Sequence, residues 1–214
     1  MTLRRSWKLA LGLLVVILAM TLTSRFWTAQ IARSLTCAES RAPSDAMLVE
    51  NFDPHFLLFE RAAALEDEGL AALTLVPVET SREPNVANPV SLGIAQVMAR
   101  QARLRRWRPI FIGITEPISL NAALQMRPQL RAHGITSITV ITPRFRSRRS
   151  LLVYGTTFGP YGIAVRCIPV PGELRTERWT QTWHGIQEVT EEFIKLQYYR
   201  FYVMPFVSPR AAGG

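Results

Sequence analysis

From Ser44 onward, short apolar runs bounded by proline, glycine or polar residues alternate with longer stretches whose apolar positions recur every three or four residues. The short runs predict strands over 45–49, 72–78, 109–114, 137–142 and 163–170, and the longer stretches predict helices over 56–68, 90–107, 119–133 and 144–154. Strands alternating with helices are the pattern of repeated βα units, so the expected class is α/β, a Rossmann-like mainly parallel sheet with flanking helices. A last helix over 179–202 carries Trp183, Ile186, Val189, Phe193, Leu196 and Tyr199 at helical spacing, a stripe expected to pack into the core. Gly134, directly after His133, suits the left-handed closure of the helix before it. The polar, proline-containing stretch 79–89 reads as a loop leaving the carboxyl end of a strand, where open α/β sheets build their ligand crevice.

Ahead of this domain the pattern is different. Residues 9–24 are almost wholly apolar and follow Arg4, Arg5 and Lys8. Basic residues before an apolar segment hold that end in the cytoplasm, and Phe26 and Trp27 extend the run as an interfacial aromatic pair. The expected organisation is therefore a cytoplasmic terminus over 1–8, one transmembrane helix over 9–27 and a juxtamembrane linker over 28–43. An extracytoplasmic domain over 44–207 and a flexible tail over 208–214 complete the chain. The expected location is the cytoplasmic (inner) membrane. A cleaved signal peptide shares the charged and apolar regions, but no small-x-small site follows: two residues before Ala29 stands Trp27, and two before Ala32 stands Gln30.

This topology changes how the charge is read. A net charge of +9 would ordinarily raise nucleic acid as a partner, but an exported domain meets little of it. Anionic lipid headgroups, wall polymers or phosphorylated precursors are the expected counter-charges, with the membrane and envelope proteins as neighbours. Cys37 and Cys167 lie in an oxidising compartment. Cys167 falls in an apolar strand-like run, where a buried free thiol is the commoner outcome and a disulfide to Cys37 the alternative. His55, His133 and His184 are isolated from acidic or cysteine partners, so no metal site is expected, and the sequence names no cofactor.

Two segments at the ends of the third and fourth predicted strands carry chemistry. In the first, 115–121, Glu116 and Asn121 flank Ser119; the serine fits the role of N-cap, leaving Glu116 and Asn121 as candidate catalytic residues. In the second, 142–149, Arg144, Arg146, Arg148 and Arg149 crowd one strand-to-helix junction. Guanidinium forks match phosphate oxygens two at a time, and a helix start is itself electropositive, so this junction is expected to bind an anion without being needed for folding.

These segments, with the run 162–165, resemble the SanA/ElyC/YdcF family, in which a glutamate, small hydroxyls and an asparagine open a helix and a strand is followed by an aromatic, a histidine and an arginine. The resemblance spans roughly 44–202 and implies a Rossmann-like sheet. It also implies a fourth anion-binding arginine, Arg61, on the first helix of the domain, beside Arg144, Arg146 and Arg149. Departures accompany it. Glu50-Asn51-Phe52-Asp53 and Val78-Glu79-Thr80-Ser81 stand where the family has glycine-rich turns, and Arg146 replaces the histidine, so no general base remains there. The expected function is an envelope-biogenesis factor acting on or binding an anionic wall or lipid-carrier intermediate, with Glu116 as acid/base if the protein turns over substrate. The alternative is a catalytically inactive, membrane-tethered scaffold. Nucleotide or S-adenosylmethionine binding follows least well without the glycine turn.

Overall fold

The computed structural model describes residues 3–52, 55–81, 86–172 and 178–207. The predicted tail over 208–214 lies outside them. Helix α1 (Leu3–Ser34) precedes five strands, β1 (Ser44–Val49), β2 (Ala71–Glu79), β3 (Trp107–Ile112), β4 (Ser137–Pro143) and β5 (Ala164–Val170). Between and after them run α2 (Phe56–Asp67), α3 (Pro89–Gln101), α4 (Ile118–Ala132), α5 (Ser147–Phe158) and α6 (Trp183–Tyr198). The strands form one parallel sheet in the order β3-β2-β1-β4-β5, the α/β Rossmann-like arrangement expected from the alternation.

Period-two side chains explain the two-layered core. Ala46 and Leu48 of β1 point to α4 and α5, joining Ile110, Met126, Val153 and Phe158, whereas Met47 and Val49 point to α2 and α3, joining Phe59, Leu65 and Ala95. Both faces of the sheet are covered, which is why β1 is apolar without a break over Ala46–Val49. The helix predicted over 90–107 stops earlier. α3 ends at Gln101, Arg103 takes a left-handed φ of 61°, and the chain turns so that Trp107 opens β3.

α1 is long and apolar enough over Leu11–Ser34 to cross a membrane, and Leu11, Leu14, Leu18, Leu22, Phe26 and Trp27 along it are exposed. Its end differs from the predicted juxtamembrane linker. Instead of a free tether, the helix continues to Ser34, and Ala32 and Leu35 are buried against Phe145, Trp179, Val189 and Leu196. The Trp179 indole N–H donates to the Thr28 carbonyl at 3.0 Å. Cys37 is disulfide-bonded to Cys167 of β5, so the expected free thiol is corrected: the buried Cys167 faces the incoming segment, which the disulfide holds to the edge strand.

The stripe predicted on the last helix is divided. Gly185, Val189, Glu192, Leu196 and Tyr199 are buried, but Trp183, Ile186 and Phe193 face outward. Turning the helix so that Glu192 reaches Arg149 sets which residues lie inward.

Candidate functional site

In a parallel sheet of this order the ligand crevice is expected beyond the carboxyl ends of β1 and β4, where the chain direction of the crossovers reverses. Here that position is filled. Glu50, the residue after β1, is fully buried, and its carboxylate accepts hydrogen bonds from the Thr142 hydroxyl, from Ser150 Oγ at 2.7 Å and from Tyr154 OH at 3.4 Å. Burial, reinforced by the adjacent Glu50 charge, raises the Tyr154 phenol well above its ordinary pKa, so it remains a donor. A carboxylate with three hydroxyls thus stands where a glycine turn would open the backbone to a phosphate.

The open space lies to one side. A cleft of about 710 Å³ spans the carboxyl ends of β1, β2 and β3 and is closed by the starts of α3 and α4 and by the end of α6. Glu116, Arg146 and Arg149 line it, as do Ser119, Lys195 and Tyr198. Its apolar wall includes Phe52, Ile94, Ile112 and Ile114. Asn51 also lines it, and its buried Oδ1 has no hydrogen-bond partner, an acceptor left for a donor that a ligand would bring.

The cleft's titratable groups are arranged differently from the sequence expectation. α4 begins after Pro117, and Ser119 is not the cap: its hydroxyl is buried and accepts from Arg149 Nη1 at 2.8 Å. The carboxylate of Glu116 instead accepts the Ile118 N–H at 3.2 Å, while Asn121 Nδ2 donates to the carbonyls of Thr115 and Pro117. Glu116 is exposed at the cleft; Asn121 is not among its lining residues. The peptide bond between Glu116 and Pro117 is cis.

Arg149 is buried. Its Nε and Nη2 reach the Glu192 carboxylate at 2.9–3.1 Å and its guanidinium lies 5.4 Å from the Tyr199 ring centroid. Arg146 Nε also donates to Glu192, at 3.4 Å. The expectation that Arg146 and Arg149 are dispensable for folding is therefore corrected for Arg149, whose removal would leave the buried Glu192 carboxylate with the longer Arg146 contact in place of three short ones. Glu192 was missed in the sequence, although an acid set within the apolar 189–196–199 spacing was its signal. Beside it, burial and then the Glu192 charge raise the pKa of Glu188, against an opposing pull from Arg146.

The four predicted anion-binding arginines do not share one site. Arg146 and Arg149 face the cleft, whereas Arg144 and Arg61 line a separate pocket on the far side of the first turn of α5. Among the described residues no group of three or more His, Cys, Asp or Glu could hold a metal ion. Comparison with family models, curated proteins and solved structures finds no match to this chain.

Proposed function

We propose that the chain is a membrane-anchored envelope-biogenesis factor whose domain, outside the cytoplasmic membrane, binds an anionic cell-wall or lipid-carrier intermediate in the cleft. The observation that supports this reading is the meeting of Glu116, Arg146, Arg149 and Lys195 with an apolar wall in one open cavity. An apolar wall with a few polar groups suits a ligand that carries both a hydrocarbon part and a charged head. Arg149 fixes the position of Glu192 and Ser119, and Arg146 and Lys195, themselves paired with Glu192 and Glu191, are the cleft cations placed to meet phosphate oxygens. Glu116, exposed at the same cleft, is the acid/base candidate if the bound intermediate is turned over. The SanA/ElyC/YdcF resemblance is consistent with such a role.

The test is binding of a polyprenyl-phosphate-linked wall precursor to the full chain in detergent. Arg146→Gln, which leaves the Arg149–Glu192 pair in place, should weaken binding at least about tenfold, the loss expected for one charge-assisted contact, in protein that still melts cooperatively at a somewhat lower temperature because the Arg146–Glu192 contact is lost. Equal binding by wild type and variant would remove the cleft from consideration.

A second reading, a catalytically inactive tethered scaffold, is favoured by the outer face of α6 and the turns after it. Trp183, Ile194 and Phe201 are 72%, 61% and 71% exposed, an apolar surface of the kind that marks protein contacts.

A further inference from the structure

The second pocket, about 970 Å³ and open, lies beside the disulfide where α1 joins the domain. Arg33, Arg41, Arg61, Arg144 and Arg148 line it, and among its described lining residues Glu39 is the only carboxylate. Glu39 is shared by Arg41 Nε at 2.8 Å and Arg61 Nη2 at 3.4 Å, and Glu68 approaches Arg41 from outside at 3.7 Å. Arg33, Arg41, Arg61, Arg144 and Arg148 thus meet in one pocket, where Glu39 is shared by two of them and Glu68 reaches one.

They come from five places in the chain: the last turn of α1, the connection to β1, α2, the turn after β4, and the first turn of α5. The frame that holds them is rigid. Cys37 is bonded to β5 and its N–H donates to Ser147 Oγ at 2.9 Å, and the Arg148 N–H donates to the Leu35 carbonyl at 2.9 Å. Gathering guanidinium groups from separate elements into one pocket costs repulsion, which an anion seated between them offsets.

Position selects the anion. Arg33 stands six residues beyond Trp27 on the same helix, about 9 Å further along its axis. The headgroup layer extends about 5–8 Å beyond the hydrocarbon edge, and an arginine side chain covers the remaining distance. The wall between the arginines is Thr36, Ala38, Pro169 and Pro171, with no large apolar side chain to take an acyl chain.

We propose that this pocket seats the phosphate headgroup of an anionic bilayer phospholipid, holding the domain down on the membrane that α1 crosses. The site is distinct from the cleft and does not depend on what the cleft binds. Its test is native mass spectrometry of the full chain released from nanodiscs of mixed phosphatidylglycerol and phosphatidylcholine, with and without excess inorganic phosphate. Wild type should retain phosphatidylglycerol over phosphatidylcholine by at least about tenfold, since each arginine near an anionic surface strengthens binding several-fold. The double variant Arg33→Gln/Arg148→Gln should lose that preference, and so should Arg41→Gln/Arg61→Gln, which leaves the backbone bond of Arg148 untouched. Arg100→Gln/Arg108→Gln, exposed arginines on α3 and β3, should keep it, as should the cleft variant Arg146→Gln. Preference persisting in both pocket variants, an equal loss in the Arg100/Arg108 control, or displacement of the lipid by inorganic phosphate would each overturn the proposal, the last by making this a site for free anions.

Discussion

Glu192 ties the end of the chain to the start of α4 and α5. Its oxygens take three contacts from Arg149 and one from Arg146, and Arg149 passes the connection on to Ser119. Removing one partner of a buried ion pair strands the other, so Arg149→Ala should cost about 3–5 kcal/mol of stability, read as a fall in melting temperature of the full chain in detergent. Coupling can be separated from simple loss: Arg149→Met combined with Glu192→Leu should recover most of the deficit. Glu188 sits at the edge of the same group, and its raised pKa has a sign that can be followed. Burial and the Glu192 charge oppose its ionisation in the folded state, so it detracts from stability once the pH rises above its unfolded value near 4.3, and the penalty is complete above the raised folded value. Glu188→Gln should therefore raise the melting temperature at pH 7 and change nothing at pH 3.5. A stabilisation that persisted at the lower pH would point to packing instead of charge.

At the scale of elements, Gly185 shows how tightly α6 is docked. A Cβ there would overlap the Trp179 carbonyl oxygen and lie 2.9 Å from Thr182 Oγ1, the side chain that caps the helix by accepting the Gly185 N–H. Gly185→Ala should destabilise by about 1–3 kcal/mol, as overpacking does, and should weaken the Trp179–Thr28 contact that joins the turn before α6 to α1, measurable as a shift in tryptophan emission. All five strands and the helices between them were legible in the sequence, because alternation of short apolar runs with helical spacing depends only on which faces are buried. Boundaries set by backbone geometry were not legible: nothing in the composition of 90–107 announces the left-handed Arg103 that ends α3 early. The candidate site was legible in part. Position at the carboxyl ends of strands placed Glu116, Arg146 and Arg149 at one cleft, but the pairing of Arg149 with Glu192, 43 residues away, is a tertiary event. So is the exchange of roles in which Glu116, not Ser119, accepts the first N–H of α4. The disulfide was weighed against a free thiol because Cys37 was assigned to a linker, and only the burial of Ala32 and Leu35 shows that segment to be part of the domain.

At the scale of the whole molecule, the cleft at the ends of β1–β3 and the basic pocket at the ends of β4 and β5 lie along the same edge of the sheet. The anchor enters at that edge, and the bond between Cys37 and Cys167 joins it to the last strand across a sequence separation of 130 residues. This bond decides how the protein carries mechanical load. Tension applied between the membrane helix and the carboxyl terminus passes from Cys37 directly to Cys167, so β1 to β4 and their helices hang as a loop outside the line of force. Pulled from its two ends under oxidising conditions, the chain should extend without releasing that loop. After reduction the same pull should add a contour length of about 430–470 Å, at 3.3–3.6 Å for each freed residue. A pull on the domain along this line would then strain only its edge strand and last helix, leaving the cleft's floor undisturbed.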